Sequence, residues 1–355
     1  TRCVYMRKAY YAETGHVRED RIRIGIISFA HMHAASYAFA LSQIPDAELV
    51  GIYDNDRERG LAAAAMYHTD YYHSLSDLLD TDVHGVIVCS ENVRHRDECI
   101  RAAQAGKHVL CEKPLATTSE DATAMLDVCE NKGVILATAF PVRHAPPVAR
   151  AKEVIDRGAI GQVLAVNATN HGRMPGGWFI DRELSGGGAV LDHTVHVADL
   201  LRWFLRDEVK TVYAEVDTRM HDIDIDDCGM LLMEFHSGVF ATLDPSWSRP
   251  KAYPTWGDVT MEIVGTKGVI SLDVFAQALL EANDSDQRVL YRNWGDNMDL
   301  LLVKDFIQAV REGKEPKASG LDGLKALEVA LAAYESAASG MPVRLSCPSC
   351  STAQL

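Results

Sequence analysis

The sequence contains no uninterrupted apolar run near the ~20 residues that are needed to cross a bilayer. Residues 1–20 carry charges throughout and lack the apolar core of a secretory signal. Both absences lead us to expect a cytoplasmic protein without a membrane partner.

Basic residues are also scarce, with 35 lysines and arginines against 50 aspartates and glutamates and a formal net charge of -15. This sign is wrong for a general nucleic-acid binder, so we expect no nucleic-acid partner and predict a small-molecule ligand.

Clustered cysteines are missing as well. The eight cysteines are scattered, and several, such as Cys89, lie inside apolar runs typical of buried reduced thiols. The one close pair, Cys347 and Cys350, has no second pair at zinc spacing. We therefore interpret residues 346–355 as a flexible tail.

The first half of the chain alternates between strand-like and helix-like segments after an N-terminal arm of residues 1–20. The predicted strands are 22–27, 47–53, 85–89, 108–111 and 134–139, and the predicted helices are 34–44, 61–68, 75–79, 95–105 and 119–132. Apolar strands that alternate with helices are typical of an α/β fold with a doubly wound parallel sheet. We assign this sheet to residues 21–143.

A proline-rich segment, residues 141–147, is predicted to interrupt regular structure and to mark a domain boundary. Strand-like runs then follow one another directly, at 162–170, 211–219, 229–236, 239–245, 258–264 and 269–274, with helices at 299–312 and 321–339. This order predicts an α+β domain with a largely antiparallel sheet over residues 144–345.

The first strand–helix turn lacks the glycines of a dinucleotide-binding fingerprint. The three slots of G-x-G-x-x-G hold Ser28, Ala30 and His33. The position still predicts a pyrophosphate site at a helix N-terminus, which makes the whole turn a candidate for cofactor binding: Ser28, Phe29, Ala30, His31, Met32 and His33.

Asp54 follows the second strand, where a carboxylate accepts the ribose hydroxyls of NAD. Its charge favours NAD, although Arg57 and Arg59 follow closely and make NADP a second candidate.

Polar residues follow the next two strands at their carboxyl ends, the edge where such sheets bind ligands. Ser90, Asn92 and His95 come after the strand at 85–89. Glu112 and Lys113, followed by a proline, come after the strand at 108–111, and all five are candidate cofactor-binding residues.

A glycine run, residues 186–188, precedes Asp192, His196 and Asp199. At this spacing Asp192 and His196 share one helix face, which indicates either a solvent-facing polar stripe or an acid–base pair at a cleft. Zinc needs further ligands that the pattern does not supply, so we predict no metal.

In this order and at these separations, the segments resemble the glucose-fructose oxidoreductase / inositol dehydrogenase / MocA family of NAD(P)-dependent oxidoreductases. The resemblance covers residues 21–345 and depends chiefly on residues 105–114 and 186–199. It implies a Rossmann domain followed by an open-faced α+β domain whose exposed sheet makes a homodimer or homotetramer. It also implies a catalytic group of Lys113, Asp192 and His196. The sequence departs from the family pattern at four positions: Ser28 and Ala30 replace glycines, Glu91 replaces a frequent proline, and Thr194 replaces a frequent glycine.

We therefore predict an oxidoreductase that transfers a hydride between nicotinamide and a secondary alcohol of a sugar, an inositol or a related polyol. In the predicted mechanism His196 takes the hydroxyl proton, Lys113 hydrogen-bonds the same oxygen and Asp192 orients the pair; the first two roles are exchangeable. The predicted substrate-binding residues are Lys113, Asn170, Arg173, Trp178, Asp192 and His196. Two alternatives stay open: an NAD-dependent glycosidase with transient oxidation, and a non-catalytic nucleotide or sugar sensor.

Overall fold

The computed structural model describes residues 21–283, 288–293 and 295–346. The predicted N-terminal arm and the predicted tail beyond residue 346, with its cysteine pair, lie outside the described residues. Within the described ranges, no helix is both long enough and apolar enough to cross a membrane.

Six parallel strands form the first sheet, in the order β3-β2-β1-β4-β5-β6. Its strands and helices are β1 Ile22–Ile27, α1 His33–Gln43, β2 Ala47–Tyr53, α2 Arg57–Tyr67, β3 Asp70–Tyr72, α3 Leu75–Leu79, β4 Gly85–Val88, α4 His95–Gln104, β5 His108–Glu112, α5 Ser119–Lys132 and β6 Leu136–Ala139. Strand β4 is buried along its whole length, as expected for a parallel strand with helices on both faces. The predicted doubly wound sheet is confirmed.

Two local predictions in this half were incomplete. Helix α2 begins four residues earlier than predicted because the Asp56 side chain accepts the backbone N–H groups of Glu58 and Arg59. The three-residue edge strand β3 was missed, since so short a run carries no periodic signal.

The second sheet has seven strands in the order β12-β11-β7-β10-β9-β8-β15. The elements of this half are α6 Pro146–Asp156, β7 Val163–Gly172, α7 Arg182–Ser185, α8 Ala189–Leu205, β8 Val209–Asp217, β9 Cys228–Phe235, β10 Phe240–Ser246, β11 Gly257–Gly265, β12 Val269–Asp273, β13 Ala278–Asn283, β14 Arg288–Asn293, α9 Met298–Glu312, α10 Gly320–Ser339 and β15 Val343–Arg344. Only β7 and β10 pair in parallel, which confirms the predicted largely antiparallel sheet.

The proline-rich segment does not interrupt regular structure, so that prediction was wrong. Pro141 begins a short 3-10 helix that ends at His144, and Pro146 begins α6. Proline is well tolerated in a first helical turn because its missing N–H would have no intrahelical partner there. The domain boundary at residues 143 and 144 stays a prediction.

The C-terminal helices join the two halves. Helix α9 packs on α1, where Phe306 shares a core with Tyr37 and Leu41. Helix α10 packs on α8 and β8, so one face of the second sheet is covered by helices.

The opposite face of the second sheet is open. It exposes Met230, Leu232 and Phe240, each with about half of its surface accessible. On the same face His171 Nδ1 lies 2.9 Å from Asp258 and Nε2 lies 3.1 Å from Asp244. Burial lowers the pKa of His171, but the hydrogen bonds with these two aspartates outweigh it and raise the pKa to about 9.

Candidate active site

A cavity of about 340 Å³ opens where the carboxyl ends of the first sheet meet the second domain. Its lining combines polar residues, namely His31, His33, Ser36, Lys113, Asn170, Asp192 and His196, with apolar ones, namely Met32, Pro141, Val142, Pro175, Phe179, Trp256, Val259, Phe275 and Met298. All three predicted catalytic residues therefore line one space.

Lys113 and Asp192 form a buried ion pair at the floor of this cavity. The Lys113 ammonium donates to the Asp192 carboxylate, and Trp247 Nε1 donates to the other carboxylate oxygen at 3.1 Å. His193 Nε2 lies 3.2 Å from that same oxygen. Burial raises the pKa of Asp192, but Lys113 and His193 outweigh it and hold the pKa well below its ordinary value. Asp192 is therefore an anion whose charge is fully engaged.

The glycine run places Asp192 and His196 at the start of a helix. A Cβ at Gly188 would lie 2.0 Å from the carbonyl oxygen of Asp226, so only glycine allows this close approach. Helix α8 then begins at Ala189, with Asp192 in its first turn and His196 one turn later. The helical spacing predicted from the sequence is present.

His196 is buried and faces the cavity as a neutral base. Its Nδ1 has no hydrogen-bond partner among the residues that the structure describes. Burial and the nearby Lys113 ammonium lower its pKa well below the usual value. A neutral imidazole with a free nitrogen is able to accept a proton.

Asp199 lies outside this group although it follows on the same helix. Its carboxylate forms a two-pronged ion pair with Arg143, which also reaches the carbonyl oxygen of Lys317. This pair ties α8 to the segment before α10.

The glycine-poor turn keeps the backbone shape of a glycine turn. Ser28 has a φ of 68°, in the left-handed region that favours glycine. Its hydroxyl oxygen accepts the N–H of Ala30 at 3.1 Å, which supports the turn locally. The N-cap residue of α1, Met32, makes no side-chain cap, and His31 serves the first turn instead: its Nδ1 accepts the N–H of His33 and its carbonyl oxygen accepts that of Ala34.

Asp54 lies at the end of β2 as predicted, but an arginine already covers it. Both guanidinium nitrogens Nε and Nη2 of Arg59 donate to its carboxylate, at 2.8 and 2.7 Å. The N–H groups of Phe29 and Asp56 take the remaining positions. Four hydrogen bonds therefore engage the Asp54 carboxylate, and the sequence did not indicate the contribution of Arg59.

His33, in the third glycine slot, projects across the sheet edge to Glu112. Its Nδ1 lies 3.0 Å from Glu112 Oε1, which also accepts the Tyr37 hydroxyl at 2.6 Å. Burial raises the pKa of Glu112, but His31, His33 and Lys113 outweigh it and hold the pKa below its ordinary value. Neither the reach of His33 nor the contribution of Tyr37 was visible in the sequence.

Ligand atoms of His31, His33 and Glu112 lie within 4.8 Å of one another, close enough to hold a metal ion. Two of these side chains already accept backbone hydrogen bonds: His31 Nδ1 accepts the N–H of His33, and the Glu112 carboxylate accepts the N–H of Lys113. Burial lowers the pKa of His31 to about 3, so the ring is neutral and its Nε2 carries the proton. That buried N–H has no partner among the described residues.

The three predicted cofactor residues after β4 have different surroundings. Asn92 donates to the carbonyl oxygen of Ser185, and its own Oδ1 has no partner within the described part of the chain. Ser90 donates to Glu98 at 2.6 Å. His95 is fully buried between the carbonyl oxygens of Ser90 and Pro114, where it holds the two loops together.

The predicted substrate residues separate into two groups. Asn170 lines the cavity beside the catalytic candidates. Arg173 instead donates to the carbonyl oxygen of Tyr253, and Trp178 donates to that of Ala30 at 3.1 Å. The apolar lining residues belong to no sequence motif and were not predicted.

Protein-family models match both halves of the chain. Residues 22–140 match the model for the oxidoreductase family with an NAD-binding Rossmann fold, and residues 148–271 match the GFO/IDH/MocA C-terminal domain. The chain belongs to the Gfo/Idh/MocA family. The resemblance inferred from the sequence is thereby confirmed, and so is the prediction of an oxidoreductase.

Relatives of this Gfo/Idh/MocA chain match it along nearly all of its length. It is 31% identical over 336 residues to the myo-inositol 2-dehydrogenase of Thermotoga maritima, covering 91% of this chain and 98% of the relative. The crystal structure of GenD2 from gentamicin A biosynthesis in complex with NAD has a TM-score of 0.86 and 26% identity, covering 94% of this chain and 99% of that one. A levoglucosan dehydrogenase in complex with NADH and levoglucosan has a TM-score of 0.82 and 25% identity, covering 92% and 100%. The prediction of NAD as cofactor is confirmed.

The crevice of this Gfo/Idh/MocA protein fits such a cofactor on its own geometry. Three residues that line it carry buried polar atoms without partners among the described residues: His31 Nε2, Asn170 Oδ1 and His196 Nδ1. A buried polar atom left unpaired costs about 1–3 kcal/mol, so these three atoms favour a polar ligand in the cavity.

Proposed function

We propose that this protein oxidises a secondary alcohol of a ring sugar, inositol or related cyclic polyol, with Lys113, Asp192 and His196 as its acid–base group. The observation that carries the proposal is the meeting of these three side chains in one cavity at the carboxyl ends of the first sheet's strands. The relatives named as inositol and levoglucosan dehydrogenases support the substrate class.

The proposed chemistry divides the work between the cofactor and the chain. NAD, when bound, accepts the hydride from the carbinol carbon. His196 removes the hydroxyl proton, because its neutral ring lines the cavity together with Lys113. Lys113 donates a hydrogen bond to the same oxygen, so that charge developing on it is stabilised. Asp192 holds the Lys113 ammonium in place, and in carbonyl reduction the proton returns along the same path.

The predicted nucleotide-binding residues have defined tasks in this proposal. The turn from Ser28 to His33 and the first turn of α1 receive the pyrophosphate. Asp54 receives the ribose hydroxyls once Arg59 releases it, and Arg59 is then free to meet a 2′-phosphate, so NADP stays a second candidate. Asn92, whose Oδ1 has no partner among the described residues, stays a candidate for cofactor binding.

We also propose that the open face of the second sheet joins copies of the chain into a dimer or tetramer. Leu232 pairs across the sheet with Thr242, and Phe240 lies diagonally beside it, so the exposed apolar side chains are neighbours. A contiguous apolar patch of this kind is typical of an interface.

The deciding experiment is a fluorescence titration with NADH and NADPH, followed by a panel of cyclic polyols and sugars monitored by nicotinamide absorbance. The proposal expects saturable NADH binding and NADH production with at least one ring alcohol. Failure of both nucleotides to bind would refute it and leave the sensor alternative. Aglycone release without net NADH would indicate the glycosidase alternative instead.

A further inference from the structure

The second half of the chain contributes a cluster of apolar residues to the active-site cavity, among them Trp256, Val259 and Phe275. Val259 of β11 is the register partner of Asn170, and the N–H of Val274 binds the carbonyl oxygen of Val259 at 3.0 Å. This contact brings Phe275 next to the substrate floor. Trp256 packs edge-on against the ring of His193, with centroids 5.2 Å apart.

A second cavity of about 220 Å³ adjoins the first. The two share Phe275 and Met298, and the second continues along Ala145, Pro146, Pro147 and Val274. Its two polar side chains, Gln277 and Asp296, lie close together, and Gln277 Oε1 accepts the backbone N–H of Asp296. The space beyond the catalytic group is thus mainly apolar.

A free polyol leaves the apolar part of this lining without a matching group. Such a ring carries a hydroxyl on nearly every carbon, and each one that faces an apolar wall loses its hydrogen bonds to water without replacement. Stacking of a sugar ring on Trp256 accounts for that one side chain, but it leaves the second cavity unfilled.

We infer that the substrate is a ring alcohol that carries an apolar, aromatic substituent, such as an aryl glycoside. The hydroxyl-bearing ring occupies the polar floor at Lys113, Asn170 and His196, and the substituent passes between Phe275 and Met298 into the second cavity. The inference rests on the proposed function, because it places the oxidised ring at the proposed acid–base group.

The test compares phenyl and methyl β-glycosides of glucose, galactose and xylose by calorimetric titration of the NADH-loaded protein. For the sugar that the floor accepts, the phenyl glycoside is expected to bind at least tenfold more tightly. The variant Met298→Gln keeps the volume of the wall but adds an amide, and it is expected to reduce the phenyl-to-methyl affinity ratio several-fold. Met66→Gln, on the exposed surface of α2, is the matched control and leaves the ratio unchanged.

Equal affinity for phenyl and methyl glycosides overturns the inference, as does a phenyl preference that survives Met298→Gln or the absence of binding by any glycoside. NADH production from methyl glycosides or free inositol, without a phenyl preference, removes the inference and leaves the proposed function standing. A protein that binds neither nucleotide refutes the proposed function itself.

Discussion

Replacing Lys113 by methionine separates its electrostatic role from its proposed chemical role. Lys113 and Asp192 are both almost fully buried, so the substitution leaves the carboxylate without its cation. Removing one partner of a buried ion pair costs about 3–5 kcal/mol of folding stability. Loss of an acid–base group lowers turnover by roughly 10²–10⁴-fold.

A second variant distinguishes these two effects. Lys113→Met combined with Asp192→Asn leaves no buried charge, so we expect it to regain most of the lost stability in urea denaturation while turnover stays absent. NADH binding, followed by fluorescence, is expected to persist in both variants because the nucleotide turn and α1 are untouched.

The pH dependence of the stability difference follows from the lowered pKa of Asp192 in the wild type. A depressed folded-state pKa contributes stability above the unfolded value of about 3.9, and this contribution is lost as pH falls through the folded value. Without Lys113, burial raises the pKa of Asp192, so protonation relieves the variant as pH falls. The stability gap between wild type and Lys113→Met is therefore widest at neutral pH and narrows toward pH ~4. A single variant with wild-type kcat, or a gap that stays constant with pH, refutes this reasoning.

Three further predictions concern the surroundings of the site. Arg59→Ala frees the Asp54 carboxylate and removes the cation proposed to meet a 2′-phosphate. Fluorescence titration should therefore show the affinity for NADPH falling about tenfold relative to that for NADH. An equal change for both nucleotides would contradict the role assigned to Arg59. Asp199→Asn strips Arg143 of its buried partner and should cost about 3–5 kcal/mol in urea denaturation, with kcat within about twofold of the wild type; a large loss of kcat at full stability would contradict it. Because the folded pKa of His171 is raised to about 9, its contribution is complete below the unfolded value near 6.5 and is lost as pH rises through 9. The melting temperature of the wild type should therefore fall as pH rises through this range, and that of His171→Asn should not show this fall. Equal falls in both proteins would contradict the prediction.

The amino-acid pattern by itself determined the alternation of strands and helices in the first half of the chain. It also determined which edge of the first sheet carries the candidate catalytic residue Lys113. Apolar runs and turns have a local period, so strands β1 and β2 and helices α3 and α5 have the predicted bounds. The carboxyl ends of parallel strands share one edge of a sheet, which is why Lys113 could be assigned to the crevice. The spacing of Asp192 and His196 places both on one helix face wherever that helix packs.

Only the tertiary structure decided which partner each side chain meets. Arg59 covers Asp54, and His33 reaches Glu112, which is 79 positions away in the sequence. Trp178, predicted to bind substrate, donates its indole N–H to the carbonyl oxygen of Ala30, 148 positions away in the sequence. Such contacts depend on rotamers and on long-range packing, and neither has a period that a sequence displays.

The apolar side of the cavity is the clearest case of this difference. Phe275 and Met298 come from separate elements and line both cavities. In the sequence each is an ordinary apolar residue. The folded chain brings them together where the two cavities adjoin, from the segment after β12 and from the first residue of α9.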